Sequence, residues 1–134
     1  MTTLPVVHAV TTDEIIARAD FVERASGVMR ALGARGAIHL RAASATGRQL
    51  HRLAAALAAL QESTGAWLVV NDRIDIALAS GARGIQLTSR SIDAADAGRV
   101  MRAFAAGTPR PAARSAERRS ACRYPVRCNR FRVS

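Results

Sequence analysis

Apolar positions along residues 1–107 alternate between short continuous runs and longer stretches with helical spacing. Runs of mostly β-branched or other apolar residues predict strands at 5–10, 37–41, 67–70 and 84–87. After each run, apolar residues recur at intervals of three and four, which predicts a helix with one buried face. The first three helices are predicted to end at Gly33, Gly65 and Gly81, and the fourth covers residues 92–104.

Polar residues placed to start helices support this division. Thr11 and Glu14 have the spacing of a capping box, and Thr46 is placed to cap the second helix. The third helix has a candidate cap at Asn71 or Asp72, and the fourth at Ser91. The buried stripe of the first helix is predicted to contain Ile15, Ala19, Val22, Ala25, Met29 and Leu32, and that of the second Leu50, Leu53, Leu57 and Leu60.

Four strand and helix units in a row predict an α/β fold with parallel strands and right-handed crossovers. The run Trp67–Val70 is apolar at consecutive positions, which is typical of a strand covered on both faces. We therefore expect one α/β domain over residues 1–107.

The remaining residues, 108–134, differ in composition from the domain. They contain three of the four prolines and both cysteines, and show no sustained periodicity. We expect an irregular, disordered tail. Cys122 and Cys128 have no second pair of ligands beside them, so free thiols are favoured over a zinc site.

The formal charge of +10 is concentrated near the carboxyl terminus. Residues 101–134 contain nine Arg and one Glu, a net of +8, whereas residues 1–100 contain eleven Arg and nine acidic residues. A basic tail that binds nucleic acid through phosphate charge is thus an alternative function, although no nucleic-acid-binding motif accompanies it. No apolar run is long enough to span a membrane, and a cytoplasmic protein is expected.

Candidate functional residues follow the predicted strands. In parallel α/β folds, ligands bind at the carboxyl ends of the strands. An arginine there suits a phosphate group, because its planar guanidinium bonds two oxygens at once. The candidate substrate-binding residues are His39, Arg41, Asn71, Asp72, Ser89 and Ser91, and Asp72 is also a weak candidate metal ligand.

Simpler interpretations exist for several of these residues. Asn71 and Asp72 can serve only as a helix cap, and His39 can be a hydrogen-bonded core histidine. If residues 37–41 form a strand, His39 and Arg41 point to the same face of the sheet. A complete flavodoxin-like domain, with a fifth strand from the tail, is a further alternative fold.

Three segments, VVHAVTTDE, AIHLRA and WLVVNDRIDIALASGARGIQLTSRS, resemble the family of thiamine phosphate synthase and TenI, the thiazole tautomerase. The similarity extends over residues 5–105. The resemblance implies an eight-stranded (β/α) barrel. It also implies one of two reactions: coupling of an aminopyrimidine diphosphate with a thiazole phosphate, with release of diphosphate and use of Mg²⁺, or tautomerisation of a thiazole phosphate.

By position, the resemblance makes Arg41 a diphosphate contact, Asn71 a substrate contact and Asp72 a Mg²⁺ ligand. Two departures weaken diphosphate and metal binding. Ala43 stands where the synthase has a lysine, and Ser91 stands where it has a second Mg²⁺-ligating aspartate. The segments Ile-His-Leu-Arg, residues 38–41, and Gln-Leu-x-Ser-x-Ser, residues 86–91, are more similar to the tautomerase branch.

The resemblance covers only the first half of such a barrel. We therefore expect a truncated family member, with about four strand and helix units of a TIM-type barrel, that is inactive alone. Four strands leave two open sheet edges, so association of the chain with itself through those edges is expected. The expected partners are a small phosphate substrate and a second copy of the chain, with no membrane.

Overall fold

A computed structural model describes residues 4–107, which contain four strands and six α-helices. The strands are β1 (Val7–Val10), β2 (Gly36–Leu40), β3 (Trp67–Asn71) and β4 (Gly84–Gln86). The helices are α1 (Asp13–Ile16), α2 (Phe21–Leu32), α3 (Gly47–Ala58), α4 (Gln61–Thr64), α5 (Ile74–Ser80) and α6 (Ala94–Gly107). A single 3₁₀ turn, Gly33–Arg35, joins α2 to β2. The predicted tail, residues 108–134, lies outside the described residues, so its disorder stays a prediction.

The strands form one parallel sheet in the order β1-β2-β3-β4. Sequential strands are therefore neighbours, and the helices between them make the crossovers. Leu40 pairs with Val70, and Asn71 pairs with Gln86, so the carboxyl ends of β2, β3 and β4 lie side by side. The predicted α/β class and parallel sheet are confirmed.

Successive side chains of each strand point to opposite faces of the sheet, and each face has its own apolar cluster. On one face, the strand residues Ile38, Leu40, Leu68, Val70 and Ile85 pack against buried residues of the helices. On the other face, Ala37, Trp67 and Val69 form a small cluster with Leu4. The main core thus lies between the sheet and one layer of helices, as in the wall of a (β/α) barrel.

Two short helices replace the single long first helix predicted from the sequence. The chain leaves α1 at Ala17 and begins α2 at Phe21, with Asp20 binding both Arg18 and Arg24 at this junction. The break changes which residues face the core. The buried stripe of α2 is Phe21, Ala25 and Met29, whereas Ile15 of the predicted stripe is 43% exposed.

Helix caps agree with the sequence at one position and differ at three. Thr46 caps α3, as predicted, and it also forms a capping box with Gln49. Thr12 rather than Thr11 caps α1, because the Thr11 hydroxyl bonds the backbone of Arg41 instead. Arg73 occupies the cap position of α5, so neither Asn71 nor Asp72 is its cap. Asp93 accepts a hydrogen bond from the Ala95 amide at the start of α6, in place of the cap predicted at Ser91.

The leucine stripe of the second predicted helix is confirmed as core. Leu50 and Leu57 are buried, and Leu53 and Leu60 pack against the same cluster. Among residues 4–107, no helix combines the length and the apolar character needed to cross a membrane.

Candidate phosphate-binding edge of the sheet

The carboxyl edge of the sheet begins with a fixed connection between β1 and β2. The buried Thr11 hydroxyl accepts a hydrogen bond from the Arg41 amide at 2.9 Å and donates one to the Arg41 carbonyl at 3.0 Å. Asp13 accepts a further bond from the Ser44 amide at 3.1 Å, and this bond holds the pKa of the Asp13 carboxyl below its usual value. The backbone around Arg41 is therefore held in place while its side chain is exposed.

The end of β3 turns sharply at Asp72. This residue has a φ of 65°, in the left-handed region that aspartate tolerates better than most residues other than glycine. The turn directs the Asp72 carboxylate toward the loop after β4. There it accepts hydrogen bonds from the Thr88 hydroxyl at 2.9 and 3.0 Å, and one from the Ser91 hydroxyl.

Ser91 connects the two sides of this cluster. Its hydroxyl oxygen accepts a hydrogen bond from the Thr88 amide at 2.8 Å while its proton is donated to Asp72. Asp72, Thr88 and Ser91 thus form one hydrogen-bonded unit, which we call the Asp72 cluster. It joins the ends of β3 and β4.

A second polar group lies on the face of the sheet opposite the helices. His8 Nδ1 lies 2.7 Å from His39 Nε2, and His39 Nδ1 lies 2.6 Å from Gln86 Oε1. If Gln86 Oε1 accepts, His39 carries its proton on Nδ1 and receives one from His8. The hydrogen-bonded row joins β1, β2 and β4 across this face of the sheet.

Of the residues singled out in the sequence, the structure brings Asp72 and Ser91 into direct contact. Arg41 and Asn71 directly follow the paired residues Leu40 and Val70, so they lie at neighbouring strand ends. Ser89 is exposed in the turn after β4. Their roles in binding stay predictions.

His39 lies in this hydrogen-bonded row, on the face of the sheet opposite the helices. Because β2 ends at Leu40, Arg41 directly follows the strand, and the shared face expected for these two residues stays a prediction. His39 is half-buried, and both its ring nitrogens have hydrogen-bond partners.

Two polar residues of these groups, His8 and Gln86, were not among the predicted site residues. Gln86 and Thr88 are two positions apart at the end of β4, a spacing that places two side chains on one face of an extended chain. That alternation begins in the Gly-Ile-Gln-Leu segment of the resemblance, residues 84–87, and it is the signal that identifies Gln86.

We expect the pKa of His39 to lie below that of an unperturbed histidine, about 6.5. Burial lowers the pKa of His39 most, its hydrogen bond with Gln86 raises it, and the nearby charge of His8 lowers it. The unfolded chain then binds more protons than the folded chain below pH 6.5, so this group makes the fold less stable as the pH falls through that range. A titration of the His39 ring signals by NMR measures the pKa directly.

Two variants separate the causes of this shift. His8→Asn removes the neighbouring charge and is expected to raise the pKa of His39, whereas Gln86→Leu removes the favourable hydrogen bond and is expected to lower it further. Movement of the pKa in the same direction in both variants would contradict the assigned hydrogen-bonded row.

The Asp72 cluster does not fit the Mg²⁺ ion that the family resemblance implies. Within residues 4–107, no three or more His, Cys, Asp or Glu side chains are grouped so as to hold a metal ion. Asp72 is the only carboxylate of its cluster, and the hydroxyl groups of Thr88 and Ser91 already direct their protons at it. We therefore derive no step that uses this cation.

The fold and the position of these polar groups define a class of protein. Parallel strands with helices on one face and polar residues at their carboxyl ends are the arrangement of (β/α) barrels. The described residues are therefore a partial domain of the TIM-barrel type. The sequence matches the family model for thiamine monophosphate synthase over residues 7–116, and the chain belongs to that family.

Individual relatives agree with this assignment. A thiamine-phosphate synthase of Chlorobium luteolum is 43% identical over 81 residues, which cover 60% of this chain and 36% of the relative. A thiamine-phosphate synthase of Methanoculleus marisnigri is 34% identical over 92 residues, which cover 69% of this chain and 43% of the relative. The chain therefore spans less than half the length of these relatives.

A solved structure shows the same fold. The thiamine phosphate pyrophosphorylase from Pyrococcus furiosus superposes with a TM-score of 0.58 and 27% sequence identity, covering 71% of this chain and 45% of that one. The family match continues to residue 116, beyond the predicted domain boundary at 107. None of these matches supports the nucleic-acid-binding alternative.

Proposed function

We propose that this chain binds the phosphate group of a small substrate at the carboxyl edge of its sheet, as part of a thiamine phosphate synthase or thiazole tautomerase site. One observation carries the proposal. In a chain of this family, Arg41, Asn71 and the Asp72 cluster lie at the ends of three consecutive parallel strands. In barrels of this type, the loops at those ends form the active site.

Arg41 is the residue that we assign to the phosphate group. Its backbone is fixed on both sides by Thr11, and its exposed guanidinium supplies donors in a fork that matches two phosphate oxygens. Asn71, half-buried at the end of β3, supplies an amide with both donor and acceptor capacity. This pairing suits an anionic ligand that also has polar ring atoms, as a thiazole phosphate has.

Thiazole phosphates are the ligand class common to both reactions of the family resemblance, so the proposal does not depend on the branch. The four described strands are half of the eight that a barrel of this type contains. We therefore assign binding of the phosphate group to this chain, and product formation requires the remaining strands, in whichever polypeptide they lie.

The experiment is a calorimetric titration of the chain with thiazole phosphate. Arg41→Ala is expected to weaken binding by about 10- to 100-fold, because a hydrogen bond between charged groups contributes about 1.5–3 kcal/mol.

Arg35→Ala is the matched control. Arg35 and Arg41 are both exposed and stand immediately before and after β2, at opposite ends of the same strand. Removal of Arg35 is expected to leave the affinity for thiazole phosphate unchanged, since it lies at the amino edge of the sheet. Equal losses in both variants would show nonspecific attraction to positive charge and would refute the proposed site.

A further inference from the structure

The carboxylates at the phosphate-binding edge already have partners within the protein. Asp72 accepts hydrogen bonds from the hydroxyls of Thr88 and Ser91. Asp75 pairs with Arg73 at 2.7 Å, and Asp13 accepts the Ser44 amide. A cation entering this edge would have to replace these bonds.

The loop after β4 differs in charge from a cation-binding loop. From Thr88 to Ser91 it contains three hydroxyl side chains and the exposed Arg90, and no carboxylate. The next acidic residue, Asp93, binds the Ala95 amide at 2.8 Å at the beginning of α6. Since the hydroxyls of Thr88 and Ser91 donate to Asp72, the loop offers a ligand the positive charge of Arg90 and the exposed hydroxyl of Ser89, which are groups that bind a phosphate directly.

Mg²⁺ in proteins requires near-octahedral oxygen ligands and is usually held by one or two carboxylates together with substrate phosphates. At Asp72, the position that a second carboxylate needs is taken by the Ser91 hydroxyl, which donates to Asp72 and accepts from the Thr88 amide. The proton and the oxygen of the Ser91 hydroxyl are thus both used in hydrogen bonds within the protein. The geometry favours direct contact between phosphate and protein.

Resting on the proposed function, we propose that this edge binds a phosphate monoester directly, without a divalent cation, and that Ser91 determines this preference. The ligand class is narrowed from phosphates in general to monoesters that carry no bound metal. A magnesium diphosphate is disfavoured, because its cation has no second carboxylate to bind here.

The first test compares thiazole phosphate binding in excess Mg²⁺ and in EDTA. We expect dissociation constants that agree within about twofold, less than 0.5 kcal/mol. Binding that appears only with Mg²⁺ would overturn this inference and leave the proposed function intact. Absence of binding under both conditions would overturn both.

The second test removes the negative charge of Asp72. Asp72→Asn keeps an oxygen that accepts from the two hydroxyls and removes one negative charge beside the bound anion. We expect this variant to bind thiazole phosphate a few-fold more tightly, about threefold, since the repulsion is removed. A metal ligand at this position would give the opposite result, and weaker binding by the variant would refute the inference.

The third test asks whether Ser91 alone prevents cation binding. Ser91→Asp places a second carboxylate beside Asp72, and Ser89→Asp places the same charge at an exposed position of the same turn. We expect added Mg²⁺ alone to raise the melting temperature of Ser91→Asp, because the cation relieves the repulsion between the two carboxylates. Wild type and Ser89→Asp are expected to show no such rise, and an equal response of all three proteins would overturn the assignment to Ser91.

Discussion

Gln61→Leu is expected to lower the free energy of unfolding by about 2–5 kcal/mol, because two backbone amides lose a buried acceptor. Gln61 is 4% exposed. Its Oε1 accepts from the Leu68 amide at 2.9 Å and the Arg83 amide at 3.0 Å, and its Nε2 donates to the Gly81 carbonyl at 3.0 Å. Urea denaturation followed by circular dichroism measures the loss.

This side chain acts as a bridge at the amino edge of the sheet. The pairing between β3 and β4 begins at Val69 and Gly84. The amides of Leu68 and Arg83 therefore lie just before the first residue pair that joins these two strands. Gln61 takes the place of the missing strand pairing there. Leucine fills the same volume without an acceptor, which isolates the hydrogen-bond contribution from cavity formation.

Glu62→Gln is the control for this prediction. Glu62 is the next residue of α4 and forms an ion pair with Arg83 at 2.8 Å, but its side chain is 92% exposed. The loss of such a pair changes stability by less than about 1 kcal/mol. If Gln61→Leu were no less stable than Glu62→Gln, the bridging role of Gln61 would be wrong.

Gln61 illustrates what a single sequence does not reveal. A glutamine within an otherwise alanine- and leucine-rich helical stretch has the pattern of a solvent-facing residue. Besides the nearby Ala58 carbonyl, its partners are backbone groups 7 to 22 positions later, which no local spacing indicates. Residues that satisfy distant backbone groups become visible only in the folded chain.

The order of strands and helices, by contrast, was predictable because it depends on local periodicity. Continuous apolar runs and the leucine stripe each act over a few residues, and the structure contains a strand or helix at each of them. The break between α1 and α2 was not predictable in this way. Ile15 and Ala19 keep helical spacing with Val22, although the chain turns at Asp20, where two arginines bind its carboxylate.

The candidate site was predictable in part for the same reason. Strand ends identify Arg41, Asn71 and Asp72, since carboxyl ends of parallel strands share one edge. The local sequence left two uses of Asp72 open, helix cap or site residue, because both need a carboxylate after a strand. The structure excludes the helix cap, since Arg73 occupies that position and the Asp72 carboxylate bonds hydroxyls 16 and 19 residues later, whereas a binding role for Asp72 stays a prediction.

Gly36→Ala is expected to destabilise the fold by about 1–3 kcal/mol, because a Cβ at this position has no space. Gly36 is the buried first residue of β2. A Cβ there would lie 2.8 Å from both Cγ and Cδ1 of Leu32 and closer still to its Cβ, which no rotation of the leucine side chain moves away. Relief therefore requires α2 to shift from β2.

Gly27→Ala is expected to change the stability of the fold in the opposite direction. Gly27 lies in the middle of α2, and a Cβ added there meets no atom within 4 Å. Alanine is expected to stabilise this helix by about 0.5–1 kcal/mol, because glycine loses more conformational freedom on folding. Thermal melts of the two variants beside wild type test the pair, since both add one methyl group and only the position differs. A shift of both melting temperatures in the same direction would show that the contact between Leu32 and Gly36 does not set the spacing of α2 and β2.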